Sequence, residues 1–358
     1  MKDNSIVRNR IIWVDSLRGL LIILMVAGHA SSPYNTYIYT FHVAAFFILS
    51  GYTHSLDRNN ALISIKKKVL TLLIPYYLLN ILFFSVYSIS FRSGIHSLLF
   101  GTLQPIRFVE RALIFLKSPQ STTGLAGPMW FLFVLFIAEF IFGLLQFIMQ
   151  KIKGPKDLEI FFGFLIGVFG LAIMNRPPFS QWALDLGLHA LIYYSIGLAL
   201  HRWNVFDHLD NNFLLPFVII LVVFFGTFYS WEGAAMNWPT RRFVALPQEI
   251  LMVISAFILV RYVILLLSEC TVINNLLLFI GRRTFSILVF HFLAFKLISV
   301  GLASLGFVDY GVVINDVPIG LSGYWWLLYT IVGIGLCVFV SKVSERQPIL
   351  NYLVNANI

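Results

Sequence analysis

Long apolar runs separated by short polar segments dominate the chain. A membrane-crossing helix needs about 20 mainly apolar residues, and ten runs reach or approach that length. They are residues 11–31, 37–56, 69–90, 128–149, 159–174, 183–201, 213–229, 248–267, 284–305 and 322–341. The runs are continuous rather than alternating, which excludes barrel strands, and backbone groups in hydrocarbon must bond within their own segment. The pattern predicts an all-α, polytopic membrane helix bundle of about ten transmembrane helices.

Composition and charge support this class and suggest an orientation. Of the 358 residues, 59% are hydrophobic and 11% are charged, against roughly 25% charged in soluble domains. The net charge of +9 comes from short Lys and Arg clusters between the runs, so we expect no nucleic-acid partner. If the N-terminus is cytoplasmic, fifteen Lys and Arg residues lie in cytoplasmic segments and seven in outer segments. The positive-inside rule then places both termini in the cytoplasm.

The chain reads as one unit. There is no separate soluble domain and no convincing internal repeat, so residues 1–358 are expected to form a single membrane-embedded domain. The first run carries Asp15 and Arg18 and lacks a clear cleavage site, which indicates a retained span rather than a signal peptide. Cys270 and Cys337 suggest neither a disulfide framework nor a metal site.

The stretch "RGLLIILMVAGHA" places a charge and a titratable ring in the first run. Arg18 and His29 are eleven residues apart, or three helical turns plus about 20°, so they share a helix face about 16 Å apart. One interpretation is a single polar cavity along that face. The other is an interfacial side chain at each membrane boundary, and spacing alone leaves both open.

Other ionisable residues also fall within the predicted spans. Such residues usually face the bundle interior or an aqueous cavity. They are His42, Glu139, His189, Arg261, His291 and Lys296. Arg261 and Lys296 are expected simply to extend to the interface. In the second run, the small residues Ser50 and Gly51 are expected to permit close approach of another helix.

Five motifs occur in a fixed order along the chain. They are "VDSLRGLLIILMVAGHA", "FHVAAFFILSGY", "KKKVLTLLIPYY", "GPMWFL" and "GRRTFSILVFHF". In this order they resemble the acyltransferase 3 family of integral membrane acyltransferases. Within it they are most similar to the fucose 4-O-acetylase-like branch, which O-acetylates surface polysaccharides. There are two departures: Thr71 stands where a second basic residue is common, and Val-Ala-Ala follows His42 where Met-Pro-Leu is common.

The resemblance implies an activity and its partners. It implies an O-acyltransferase, usually moving acetyl from acetyl-CoA to a sugar hydroxyl of a cell-envelope or secreted polysaccharide. Acyl-CoA would be a co-substrate, and neither a permanently bound cofactor nor a metal is expected. The other partners would be membrane lipid and a glycan or lipid-linked sugar, at the bacterial cytoplasmic (inner) membrane.

The resemblance also suggests residue roles. His29 would be the general base or a covalent acyl carrier, because an imidazole titrates near neutral pH. Arg18 would contact the donor or fix the first helix. The donor phosphates would bind Lys66, Lys67 and Lys68, a role that Thr71 weakens. The substrate-binding candidates are His42, Trp130, Glu139, His291 and Trp238, with Trp231, Glu232 and Glu249 as further sugar contacts in or beside an outer loop.

A transporter or flippase for a lipid-linked oligosaccharide remains the alternative. It too would have many spans, buried ionisable groups and aromatic outer loops. It predicts movement of the glycan without acylation.

Overall fold

The architecture was taken from a computed structural model of the chain. The structure describes residues 12–55, 58–92, 95–96, 108–120, 122, 124–155, 157–210, 214–229, 236–319, 321 and 323–356. Within these ranges the regular structure is helical, apart from one isolated antiparallel bridge between Asn237 and Arg242.

The helices follow the apolar runs closely. In chain order the described α-helices are α1 (Ile12–His29), α2 (Asn35–Tyr39), α3 (His42–Tyr52), α4 (Ala61–Lys68), α5 (Ile74–Arg92), α6 (Phe108–Lys117), α7 (Trp130–Lys151), α8 (Leu158–Ala172), α9 (Leu184–Arg202), α10 (Val205–Asp210), α11 (Leu214–Tyr229), α12 (Leu246–Ser268), α13 (Thr271–Gly281), α14 (Thr284–Ser304), α15 (Tyr310–Ile314), α16 (Trp325–Ser344) and α17 (Pro348–Asn355). A π-helical turn, Val69–Leu73, joins α4 to α5. Short 3-10 turns, Arg58–Asn60 and Gly124–Met129, precede α4 and α7.

The fold class predicted from the sequence is confirmed. The ten predicted spans correspond to α1, α3, α4 with α5, α7, α8, α9, α11, α12, α14 and α16. Six helical segments of the described chain are long and apolar enough to cross a membrane: Ile12–His29, Ala61–Phe91, Gly124–Lys151, Leu246–Ser268, Thr284–Ser304 and Trp325–Ser344. Shorter apolar helices, among them α8, complete the bundle.

The second predicted span is not one helix, and its boundaries were wrong. Residues 37–56 are divided between α2 and α3 by a turn at Thr40 and Phe41. The Thr40 hydroxyl donates to the Tyr37 carbonyl at 2.6 Å, which ties the end of α2 into the turn. His42 therefore becomes the first residue of α3 rather than an interior residue of a long helix.

The basic cluster lies within a helical segment rather than ahead of a broken helix. Lys68 ends α4 and passes directly into the π-helical turn, and α5 begins one residue before Pro75. Proline has no amide hydrogen to bond the preceding turn and its ring crowds that turn. A π-helical turn is the local widening that accommodates such a mismatch, so the helical path continues past Pro75.

Helix α13, which the apolar pattern does not predict as a span, packs directly on α1. A Cβ atom added to Gly19 would lie 2.1 Å from the backbone carbonyl oxygen of Leu277. One added to Gly281 would lie 1.9 Å from the backbone carbonyl oxygen of Asp15. The Ser16 hydroxyl donates to Asn274 Oδ1 at 2.7 Å across the same contact. Glycine on each side is thus required for the two backbones to touch.

A second close crossing joins α3 to α9. A Cβ atom on Gly51 would lie 1.9 Å from the Tyr194 carbonyl oxygen, and one on Gly197 would lie 1.9 Å from the Ile48 oxygen. The prediction that Gly51 permits close helix approach is confirmed. The contact fixes the helix that carries His42 against the centre of the bundle.

The two ends of the described chain meet at the same end of the bundle. Asp15, near the start of α1, contacts Gly281. Ser286 follows Gly281 by five residues, and its hydroxyl donates to the Val354 carbonyl of α17 at 2.6 Å. This agrees with an even number of crossings, and we refer to this end as the predicted cytoplasmic end.

The Gly51–Gly197 crossing gives a stability prediction. Gly197→Ala inserts a methyl group into backbone contact, so we expect a loss of about 1–3 kcal/mol of stability from overpacking. Gly335→Ala is the matched control, because nothing lies within 4 Å of a Cβ at Gly335 in α16. The apparent melting temperature of the detergent-solubilised protein should fall for Gly197→Ala and not for Gly335→Ala. Equal melting temperatures would contradict the packing account.

Candidate active site

A cavity of about 180 Å³ lies where α1 ends and α3 begins, at the predicted outer end of the bundle. The cavity is bounded by the termini of α1, α2, α3 and α7, by α14, by the 3-10 turn before α7 and by the segment 236–239. Its lining residues are Met25, His29, Tyr39, His42, Val43, Phe46, Pro128, Trp130, Phe131, Met236, Asn237, Trp238, Pro239 and Leu288. These residues come from all parts of the chain, so only the folded bundle forms the cavity.

His29 is the last residue of α1 and is partly exposed. Its Nδ1 lies 3.4 Å from the hydroxyl of Tyr39, which belongs to α2. Its Nε2 has no hydrogen-bond partner among the described residues. One imidazole nitrogen is therefore oriented by a neighbour, while the other is available to a ligand in the cavity.

Two further histidines flank His29, as the sequence suggested. The His291 ring lies 5.4 Å from the His29 ring between centroids, and the His42 ring lies 5.2 Å from the Tyr39 ring. His42 lines the cavity, whereas His291 is fully buried behind His29. Three imidazoles from α1, α3 and α14 thus gather at one end of the bundle.

Both flanking rings are fixed by backbone carbonyls. His42 Nδ1 donates to the Ile38 carbonyl at 2.8 Å, and His291 Nδ1 donates to the Ile287 carbonyl at 2.9 Å. A carbonyl only accepts, so each Nδ1 must carry the hydrogen. In the neutral rings Nε2 is then the acceptor, and neither Nε2 has a partner among the described residues.

Aromatic side chains form much of the remaining wall. Trp130 begins α7, directly after the 3-10 turn that contains Pro128. Trp238 is only 1% exposed and packs between Phe47, at 5.2 Å, and Phe243, at 5.1 Å between ring centroids. The sequence analysis named both tryptophans, and the structure places both at the cavity.

The segment that carries Trp238 is held by an ion pair that the sequence analysis missed. Arg241 Nε donates to Asp185 Oδ2 at 2.5 Å, and its Nη2 donates to Gln120 Oε1 at 2.9 Å. Asp185 lies in the first turn of α9 and also accepts from the Asn175 amide at 3.1 Å. Arg241 thus joins three outer segments, and no spacing in the sequence links those positions.

Glu249 lies behind this wall rather than in the cavity. It is fully buried and accepts hydrogen bonds from His189 Nε2 at 2.9 Å and from the Tyr193 hydroxyl at 2.5 Å. The His189 ring packs against Trp238 in a tilted arrangement, with 5.1 Å between the ring centroids. Glu249 therefore holds the His189 ring against Trp238. The suggestion that Glu249 contacts a sugar does not fit its buried position. Trp231 and Glu232 lie outside the described residues.

Arg18 lies away from the cavity. It pairs with Asp15 at 3.0 Å, its Nη2 lies 3.4 Å from the Thr53 hydroxyl, and its side chain is 33% exposed. The cavity reaches Met25, one turn from His29, but Arg18 does not line it. Between them Leu21 and Ile22 are fully buried. The cavity at His29 therefore does not extend along α1 to Arg18, because buried apolar side chains occupy the helix face between them.

The basic cluster and Glu139 form a separate site. Lys68 Nζ lies 2.5 Å from Glu139 Oε2 and 2.7 Å from Oε1, which joins α4 to α7. Lys66 and Lys67 are exposed and have no resolved ion pair among the described residues. Glu139 therefore neutralises a lysine ammonium and does not line the cavity with His29.

Two cations within the spans are buried, contrary to expectation. Lys296 is fully buried, and its Nζ donates to the carbonyls of Val313 at 2.7 Å and Asn315 at 3.0 Å. Arg261 is 3% exposed and pairs with Asp210 at 2.6 Å. The prediction that both extend to the interface was wrong, because carbonyls and a carboxylate within the protein satisfy their charges. Among the described residues no group of three or more His, Cys, Asp or Glu has metal-binding geometry.

Comparison with known proteins gives one match. The family model of acyltransferase 3, described as an acyltransferase domain, matches residues 11–342. Searches of curated proteins and of solved structures returned no significant match. The matched region runs from the start of the first helix almost to the end of α16 and contains every residue around the cavity. The chain therefore belongs to the acyltransferase 3 family and is a membrane acyltransferase.

Proposed function

We propose that the protein is a membrane O-acyltransferase that moves an acyl group, acetyl in the first instance, from acyl-CoA to a sugar hydroxyl. The acceptor would be a cell-envelope or secreted polysaccharide, or its lipid-linked precursor, at the bacterial cytoplasmic membrane. The observation that carries this proposal is the position of His29. Its Nε2, which has no partner among the described residues, lies at an aromatic-lined cavity. The chain around it matches the acyltransferase 3 family over residues 11–342.

His29 has the contacts that a general base requires. When Nδ1–H donates to the Tyr39 oxygen, the lone pair is on Nε2 and is available to the cavity. Nε2 takes the proton of the sugar hydroxyl while the hydroxyl oxygen attacks the thioester carbonyl. The carbon–sulfur bond then breaks, and the imidazolium returns its proton to the departing CoA thiolate. Formation of an acyl-histidine before transfer uses the same nitrogen and is the alternative sequence of steps.

The aromatic walls suit the acceptor. The partly exposed Trp130 ring would offer a flat apolar face that complements the carbon–hydrogen face of a pyranose ring. The buried Trp238 completes the wall behind it. His42, which lines the cavity, would contact the acceptor, and His291, buried behind His29, would help to position His29. Arg18, about 16 Å from His29 along an ideal helix, would contact the donor toward the predicted cytoplasmic end, with Lys66 and Lys67 as exposed phosphate contacts.

The base assignment is tested by His29→Ala. We expect the transfer rate to fall at least 100-fold, since positioned acid–base groups contribute about 10²–10⁴-fold. Membranes containing the protein are supplied with labelled acetyl-CoA and host glycan, and the label bound to glycan is counted. His208→Ala is the matched control, because His208 is exposed on α10 and does not line the cavity. Wild-type transfer by His29→Ala would exclude His29 as base or acyl carrier, and glycan movement without label would favour a flippase.

Tyr39 provides a prediction about pH. Tyr39→Phe removes the partner of His29 Nδ1, and we expect kcat to fall roughly 2- to 10-fold, the value of one net hydrogen bond. Burial raises the pKa of Tyr39 to about 12, so the phenol stays protonated across the neutral range. The profile of kcat/KM from pH 6 to pH 10 should therefore keep its shape in Tyr39→Phe and lose only amplitude. Disappearance of an alkaline limb in the variant would contradict this assignment.

A further inference from the structure

The described residues that line the cavity include no side chain that carries a fixed charge. Among the described residues around it there is no Asp, Glu, Lys or Arg. Two charged groups that support the Trp238 segment are each paired with a neighbouring side chain rather than facing the cavity: Glu249 with His189, and Arg241 with Asp185. A ligand carboxylate or phosphate entering the cavity would lose water and gain no cation. Such uncompensated burial of an ion costs several kcal/mol, so the cavity disfavours anionic acceptors.

His42 adds a directional requirement to this neutral cavity. Its Nδ1–H is committed to the Ile38 carbonyl at 2.8 Å, so in the neutral ring Nε2 can only accept. The helix break between α2 and α3 places Ile38 and His42 at this distance and brings the ring to the cavity. No described residue donates to Nε2. The site therefore lacks one hydrogen-bond donor at a defined position.

A sugar hydroxyl supplies such a donor. It is uncharged, it donates a hydrogen to a nitrogen acceptor, and the carbons beside it pack on aromatic rings such as that of Trp130. We propose that the cavity selects an uncharged sugar unit and that His42 Nε2 accepts a hydrogen bond from a hydroxyl other than the one acylated at His29. This inference rests on the proposed function and narrows its substrate class. It makes His42 a specificity-determining residue.

The first experiment compares neutral and anionic acceptors of the same stereochemistry. The full-length protein in membranes is given labelled acetyl-CoA with a panel of methyl hexosides and the matching methyl hexuronides, in which a carboxylate replaces the CH₂OH group. We expect kcat/KM to be at least about tenfold higher for the neutral member of any accepted pair, equivalent to about 1.4 kcal/mol. Equal or better transfer to a hexuronide overturns the inference. Transfer to neither kind of sugar overturns the proposed function itself.

The second experiment compares two substitutions at His42. One keeps only the donor to the Ile38 carbonyl, and the other keeps an acceptor near the position of Nε2. In His42→Asn the side-chain amide can still donate to the Ile38 carbonyl, but no acceptor remains near the position of Nε2. In His42→Gln the longer side chain can place its carbonyl oxygen there. We expect His42→Asn to lower kcat/KM for the neutral hexoside about tenfold, mainly through KM, and His42→Gln to recover most of that loss. Equal losses in the two variants would overturn the role of His42.

Monodeoxy acceptors distinguish the loss of the His42 hydrogen bond from a folding defect in the His42→Asn variant. A deoxy sugar that lacks the contacted hydroxyl should be a poorer substrate for the wild-type protein, and His42→Asn should cost it nothing further. A loss of folded protein would lower transfer to every acceptor by the same factor. If His42→Asn lowers kcat/KM about tenfold for every monodeoxy sugar, the proposed hydrogen bond is contradicted. If His42→Asn lowers kcat/KM for all of them except the sugar that lacks one particular hydroxyl, the hydrogen bond is supported.

Discussion

Charge inside an apolar helix bundle is stable only when it is paired, and this requirement shapes the whole protein. Asp210 pairs with Arg261, Asp185 with Arg241, Glu139 with Lys68, and Lys296 binds a cluster of carbonyls. Removing one member of a buried pair costs about 3–5 kcal/mol, because the other charge is left uncompensated. The ion pairs join helices and loops that are distant in sequence. The active-site candidates, in contrast, are imidazoles, which can be buried uncharged.

The same rule applies to the three histidines at the cavity. Imidazole can give or take a proton at neutral pH without a permanent charge, and the three rings here bond only to a phenol or to backbone carbonyls. One nitrogen of each ring is oriented by this bond, and the other has no hydrogen-bond partner among the described residues. An aspartate or glutamate at the same place would need its own cation.

Backbone geometry positions these rings. The turn at Thr40 and Phe41 starts α3 at His42 and leaves the Ile38 carbonyl within reach of its ring. The Gly51–Gly197 crossing holds α3 against α9, and α9 in turn carries Asp185 and His189, which support the Trp238 segment. The contacts that hold the walls of the cavity in place are thus the same contacts that pack the helices of the bundle.

The sequence by itself determined the class of fold, the ten helical runs and the candidates around His29. Apolar runs of sufficient length have few alternatives to helices in a membrane, and the ordered motifs pointed to the family that the match over residues 11–342 shows. The division of residues 37–56, the packing of α13 on α1, and the partners of Lys296 and Arg261 were decided only by tertiary structure. So were the burial of Glu249 and the separation of Arg18 from the cavity. Hydropathy records how apolar a segment is, whereas these features depend on which distant carbonyl, carboxylate or glycine lies opposite each residue.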